Sequence, residues 1–135
     1  MTVRLGLRWL LAALYAIAGW FHLTAPATFL KIMPGWVPIP EAVVWWTGIA
    51  EFAGAAALAQ PASLRLRQAA GIALALYALC VWPANIHHMM LDMARPDHGW
   101  GLGYHLPRMA LQPVLIWLAL WASEAIDWPF RNRPA

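Results

Sequence analysis

Charged side chains are scarce in this sequence. Asp, Glu, Lys and Arg make up 11% of the 135 residues, whereas apolar residues make up 62%. A soluble domain carries about 25% charged residues, because a chain of this size exposes much of its surface to water. The shortage argues against a water-soluble domain and favours a protein whose solvent is the lipid bilayer.

Cysteine is almost absent as well. Cys80 is the only one, which excludes an intramolecular disulfide and any CxxC motif for redox chemistry or zinc binding. It lies in an apolar run, so we expect a small buried side chain. The net charge of +3 comes from Lys and Arg residues scattered near the ends of apolar segments. They form no basic stripe that would bind a phosphate backbone, so nucleic acid is not an expected partner.

Four apolar segments are long enough to cross a bilayer, which takes roughly 20 helical residues per span. They cover approximately residues 5–23, 42–60, 68–91 and 106–126. The ten Trp and three Tyr fit the two membrane–water interfaces. The sequence therefore predicts an all-α protein, a single integral membrane domain over residues 1–135 built as a four-transmembrane-helix bundle.

The Lys and Arg residues outside the spans predict the orientation. With four spans, the N-terminus, the second connection and the C-terminus share one side of the membrane. That side holds Arg4, Arg8, Arg65, Arg67, Arg131 and Arg133, and the other side holds Lys31, Arg95 and Arg108. We therefore expect both termini to be cytoplasmic.

Each predicted helix carries polar residues at spacings of three, four or seven, which place them on one helical face. Polar groups inside a bilayer are costly and persist where they pair or line a cavity. Because the four sets fall at similar depth, we expect one polar pocket that opens toward the outer side, with Glu51 at its floor. Its expected members are Tyr15, His22, Thr47, Glu51, Asn85, His88, Asp92, Arg108 and Gln112.

The residues of this pocket allow several interpretations of its chemistry. Glu51 can pair with Arg108 as a carboxylate–guanidinium pair, or with His22, in which case the two can exchange protons. His22, Glu51 and His88 are residue types that suit a metal ion, but a metal or haem is the least favoured reading and we assign none. The same residues can instead act only as polar contacts between helices.

The third connection and the helices beside it carry further expectations. The stretch 92–105 is polar and glycine-rich, so His98 and His105 should be solvated. Pro107 should mark the first turn of the fourth helix. Pro83 lies inside the third helix and should kink it, freeing a carbonyl near the pocket.

Six short motifs follow one another along the chain: AGWFHL at 18–23, FLKIMP at 29–34, VPIP at 37–40, WTGIAEFAGA at 46–55, WPANI at 82–86 and LPRMALQP at 106–113. In order and spacing they resemble the DoxX-like family of small four-helix bacterial membrane proteins. The resemblance implies a multi-pass protein of the bacterial cytoplasmic (inner) membrane. It places His22, Glu51, Pro83, Asn85, Arg108 and Gln112 at family-like positions.

The resemblance also implies redox work, since one relative is the small subunit of a thiosulfate–quinone oxidoreductase. We therefore expect the pocket to bind a quinone or another small lipid-soluble molecule, beside a redox partner subunit, with Glu51 and His22 handling protons. Two alternatives stay open. One is a non-catalytic membrane anchor or assembly subunit, and the other is an enzyme that acts on a lipid with Glu51 and His22 as acid and base.

Overall fold

The chain forms five helices in a computed structural model, which describes residues 2–130. They are α1 (Val3–Thr24), α2 (Pro26–Leu30), α3 (Pro40–Ala59), α4 (Leu64–Met93) and α5 (Leu102–Ala122). Residues 2–130 contain no strand, so the all-α prediction is confirmed. The long helices match the four predicted segments. The short α2 is an addition in the first connection, where a proline suits the first helical position because its missing N–H would be unpaired there anyway.

Local signals at the start of α4 and α5 explain why both begin before the predicted residues 68 and 106. The Ser63 hydroxyl accepts a hydrogen bond from the Leu66 N–H at 3.2 Å and caps α4. Gly101 precedes α5 with a φ of 75°, a conformation that glycine adopts readily. Pro107 consequently lies inside α5, and the prediction that it marks the first turn was wrong.

The end of α5 also differs from the predicted residue 126. Glu124 adopts a left-handed conformation with a φ of 67°. The N–H groups of Ala125 and Ile126 then turn back to the carbonyl of Leu120, at 2.9 and 3.2 Å. This arrangement satisfies a carbonyl of the last turn and ends the helix at Ala122.

The long helices contact one another in a ring, in the order α1, α3, α4, α5 and back to α1. The contacts within the α1–α3 pair and within the α4–α5 pair are more extensive than those between the pairs. Glycines allow close approach in the first pair, since a Cβ on Gly19 would lie 2.8 Å from the carbonyl oxygen of Gly48. The buried core includes Leu11, Leu58 and Leu74, contributed by α1, α3 and α4.

The outer surface of the bundle is apolar. Trp20, Trp46 and Leu76 are each more than half exposed, which is unfavourable in water and suits lipid. In the described part of the chain, α1, α3 and α4 are long and apolar enough to cross a membrane. These features support a membrane protein with helical spans. Cys80 is also exposed, so the prediction that it is buried was wrong.

Arginines gather at the end of the bundle where α1 and α4 begin and α5 ends. Arg67 Nη2 lies 2.6 Å from Glu124 Oε1, and Arg8 Nη1 lies 3.5 Å from the same oxygen. Arg4 Nη2 lies 2.8 Å from Asp127 Oδ1. The contacts place the start of α1, the connection between α3 and α4 and the end of α5 on one side. Two further residues of the orientation argument, Arg131 and Arg133, lie outside the described residues.

Candidate functional site

A cavity of about 730 Å³ lies between the α1–α3 pair and the α4–α5 pair. Its walls are mainly apolar, and Met33 and Trp36 of the first connection also line it. The structure thus brings polar residues of four helices around one space. The predicted site residues that line the cavity are Tyr15, His22, Thr47, Glu51, Asn85, Arg108 and Gln112.

Glu51 is the buried acidic group of this cavity and is 3% exposed. Its Oε2 lies 2.8 Å from Nδ1 of His22, and its Oε1 accepts a hydrogen bond from the Tyr77 hydroxyl at 2.7 Å. Of the two pairings that the sequence left open, the structure forms Glu51 with His22. Arg108 makes its contacts elsewhere.

His22 is oriented by its neighbours on α1, α2 and α3. Its Nδ1 lies 2.9 Å from the carbonyl oxygen of Ala18 as well as 2.8 Å from Glu51, and no hydrogen bond is well directed at Glu51 Oε2. Because a carbonyl can only accept, Nδ1 carries a hydrogen and donates it to Ala18, and Glu51 Oε2 lies beside that nitrogen without a directed hydrogen bond. The ring stacks on Phe29 with centroids 3.7 Å apart. Nε2 has no hydrogen-bond partner among residues 2–130, so it is available to a ligand or a proton.

Arg108 belongs to a polar strip that joins α4 and α5. Its Nη2 donates to Asn85 Oδ1 at 2.6 Å, and its Nη1 donates to His88 Nδ1 at 3.0 Å. Asn85 Nδ2 donates to Gln112 Oε1 at 3.2 Å, and Gln112 Nε2 donates to the Ala78 carbonyl. The cavity therefore has a carboxylate on the α3 side and a guanidinium on the α5 side.

Tyr77 is the site residue that sequence reasoning missed. It is half-buried, lines the cavity and packs edge-to-face on Tyr15, with ring centroids 6.2 Å apart. It precedes Asn85 by about two helical turns and so shares its helical face, which was the available signal. Thr47, which was expected to contact a ligand, lines the cavity, and its hydroxyl donates to the Val44 carbonyl of its own helix at 2.8 Å.

A second polar cluster lies where α4 ends and α5 begins. Asp92 Oδ2 lies 2.9 Å from His105 Nε2 and 3.6 Å from His88 Nε2, and it accepts a hydrogen bond from the Trp100 N–H at 2.9 Å. Asp92 is 4% exposed and His105 is fully buried. The prediction that His105 is solvated was therefore wrong, because α5 begins early enough to fold it against α4. His98 is exposed, as expected.

The adjacent His87 and His88 point in different directions. His87 Nδ1 lies 2.9 Å from the Ile32 carbonyl oxygen, which ties α4 to the first connection. His88 faces Arg108 and Asp92 and does not line the cavity. This corrects the expected placement of His88 in the pocket, and it also means that His88 does not share a metal site with His22 and Glu51. Asp92, expected in the same pocket, lies in the second cluster.

Asp97 holds the connection between α4 and α5. Its Oδ1 accepts a hydrogen bond from the Gly99 N–H at 3.1 Å, and its two carboxylate oxygens accept bonds from the Arg95 guanidinium at 3.0 Å. The Gly99 bond and then the Arg95 bonds hold the pKa of the Asp97 carboxyl below its ordinary value, because they favour its charged form. The turn they form brings the Trp100 N–H to Asp92.

A family model described as "Domain of unknown function (DUF8561)" matches residues 11–123. Comparison with curated proteins finds no match, and comparison with solved structures finds none either. The matching family model is not that of the DoxX-like family, so that resemblance stays a prediction. The matched range contains Glu51 and its two partners His22 and Tyr77, and all members of the second cluster.

Proposed function

The chain belongs to the family of unknown function DUF8561, and we propose that it is a multi-pass membrane protein whose cavity binds a small lipid-soluble molecule. A quinone is the ligand class that fits best. The proposal is carried by one observation: a largely apolar cavity holds Glu51 with His22 on one side and Arg108 with Asn85 on the other.

The shape of the cavity supports a small ligand with an apolar body. Its volume of about 730 Å³ lies within the roughly 300–1,000 Å³ of small-molecule sites, which are mostly apolar with a few placed polar groups. A quinone ring is flat and apolar, with a hydrogen-bond acceptor at each end. Arg108, Asn85 and Gln112 can orient one carbonyl, while His22 also lines the cavity and, once its Nε2 is protonated, can donate to the other.

The Glu51–His22 pair supports proton handling at the second carbonyl. Reduction of a quinone carbonyl to a hydroxyl takes up a proton, and imidazole and carboxylate are the side chains that most often transfer one. His22 Nε2 is unpaired among the described residues, and Glu51 is held against its other nitrogen. In this proposal, electrons come from a redox partner subunit, the arrangement that the DoxX-like resemblance implies.

The proposed topology has four spans with both termini in the cytoplasm of a bacterium. α5 is 21 residues long and packs along α4, and its polar residues Arg108 and Gln112 face the cavity rather than lipid. It can therefore span despite its lower hydropathy. Arg4, Arg8, Arg65 and Arg67 mark the cytoplasmic end by the positive-inside rule.

The test is a titration of the purified protein in mild detergent with a short-chain ubiquinone analogue, together with native mass spectrometry of any molecule retained from the membrane. We expect one bound molecule per chain and a loss of affinity of about 10- to 150-fold in Glu51→Gln, which is the equivalent of one charged hydrogen bond. Glu41→Gln is the matched control, because Glu41 is exposed on the same helix. Equal affinity of wild type and folded Glu51→Gln would contradict the proposal.

The satisfied bonds of the polar strip favour a second candidate, a membrane anchor or assembly subunit. Arg108, Asn85 and Gln112 all bond to protein groups of α4 and α5, as polar residues do when they only hold helices together. In that case the wild-type protein would retain no small molecule and would co-purify with another polypeptide. Glu51→Gln would lower thermal stability without any change in ligand binding.

A further inference from the structure

We propose that His88, Asp92 and His105 form a site for a divalent transition-metal ion of the zinc class. This site is separate from the cavity, and it does not rest on the function proposed for the cavity. Imidazole nitrogens and a carboxylate oxygen are ligands that zinc, iron and related ions prefer. One ligand atom from each of the three residues lies within 4.8 Å of the others.

The distances between the ligand atoms suit a single ion. Two ligand atoms about 2.1 Å from one ion lie about 3.0 Å apart at a right angle and about 3.4 Å apart at the tetrahedral angle. His105 Nε2 and His88 Nε2 lie 2.9 and 3.6 Å from Asp92 Oδ2. The two imidazole rings are 4.9 Å apart and nearly perpendicular. The two distances to Asp92 Oδ2 are therefore close to those that an ion would impose.

Helical spacing and a backbone hydrogen bond fix the positions of His88 and Asp92. His88 and Asp92 are four residues apart on α4 and so share a helical face. The Trp100 N–H bonds to Asp92 Oδ2 and fixes the carboxylate, as outer partners of metal ligands do. Gly99 leaves room for this, because a Cβ there would clash with the Asp92 carboxylate.

The buried state of the cluster favours a charged occupant. Asp92 and His105 are almost completely buried. A buried carboxylate is best stabilised by a cation. Three protein ligands would leave the remaining coordination positions of the ion to water or another small molecule.

Ion binding would change the polar strip beside the cavity. His88 Nδ1 now accepts a hydrogen bond from Arg108 Nη1 at 3.0 Å, which places the imidazole hydrogen on Nε2. When Nε2 binds the ion, the hydrogen must move to Nδ1, and that nitrogen can no longer accept from Arg108. The Arg108 bond therefore opposes ion binding, and so does the positive charge of the guanidinium.

The experiment uses the purified full chain in detergent, with any purification tag removed and bound metal stripped by a chelator. The protein is titrated with Zn²⁺ by calorimetry, and with Co²⁺, whose visible absorption reports nitrogen and oxygen ligands. We expect one ion per chain. Loss of a residue that only hydrogen-bonds to a metal ligand weakens metal binding roughly 10- to 100-fold. His88→Gln and Asp92→Asn each remove a ligand itself, so each should weaken binding by more than that. Two variants are used because either could fail to fold, and size-exclusion chromatography identifies such a case.

The controls distinguish ion binding at His88, Asp92 and His105 from ion binding at the protein surface. His98→Ala removes an exposed histidine of the same connection and should bind Zn²⁺ like wild type. Arg108→Gln should bind Zn²⁺ more tightly, because it frees His88 Nδ1 and removes a nearby positive charge. Binding of less than one ion per chain by wild type would overturn the proposal. So would unchanged binding in folded His88→Gln and Asp92→Asn, or weaker binding in Arg108→Gln.

Discussion

The hydrogen bond from the Tyr77 hydroxyl can be used to test whether Glu51 is charged or neutral. Tyr77→Phe removes the donor that lies 2.7 Å from Glu51 Oε1 and keeps the ring. A hydrogen bond to an ionised group contributes about 1.5–3 kcal/mol, and one between neutral groups about 0.5–1.5 kcal/mol. Because His22 Nδ1, which carries a hydrogen, lies 2.8 Å from Glu51 Oε2, we expect Tyr77 to donate to a carboxylate. We expect Tyr77→Phe to lower the free energy of unfolding by about 1.5–3 kcal/mol.

The assay is reversible unfolding in mixed micelles by added SDS, followed by far-ultraviolet circular dichroism. A double-mutant cycle with Glu51→Gln isolates the energy that couples the two side chains. Tyr15→Phe is the matched control, since Tyr15 is buried against Tyr77 and its hydroxyl bonds to no other residue of the described range. A loss in Tyr77→Phe no larger than that in Tyr15→Phe, or a coupling energy near zero, would contradict this expectation.

Three further predictions concern packing, orientation and pH. Gly19→Ala should lower the free energy of unfolding by about 1–3 kcal/mol, because its Cβ would crowd α3, whereas Gly103→Ala points into open space and should not. In a cysteine-free background, a membrane-impermeant maleimide added to intact cells should label Pro96→Cys and leave Ala62→Cys unlabelled, and the reverse pattern would contradict the orientation. The Asp97 carboxyl should titrate below the ordinary aspartate pKa of about 3.9. Its loop contacts should therefore persist above that pH and be lost only as the pH falls through the lower value, as carboxyl chemical shifts in carbon NMR would show.

Hydropathy was sufficient to predict the long helices, because a helix that faces lipid must be apolar over its whole length. Helical spacing was also sufficient to predict most of the polar residues that line the cavity. Glu51 shares a face with Thr47, and Arg108 shares a face with Gln112, so each pair reaches the cavity together. These features depend only on the geometry of a single helix.

Pairings between helices could not be predicted in the same way. They depend on how each helix is rotated about its axis, which no spacing within one helix determines. By charge alone, Arg108 was as good a partner for Glu51 as His22. The close packing of α4 on α5 instead brings Arg108 into hydrogen bonds with Asn85 and His88. His105 was misplaced because the start of α5 depends on the backbone conformation of Gly101, which removes the histidine from the polar connection.

The division of the bundle into two closely packed helix pairs bears on how the chain enters the membrane during synthesis. Glu51 meets His22 within the α1–α3 pair, and Arg108 meets Asn85 within the α4–α5 pair. The charged residue of each pair, which is unfavourable in lipid when it is alone, can therefore already have a hydrogen-bonding or charged partner when the pair leaves the translocation machinery. The hydroxyl of Tyr77, a neutral group, is the contact that reaches Glu51 from the later pair. In the proposed four-span topology, we therefore expect the first two spans to remain inserted without the last two.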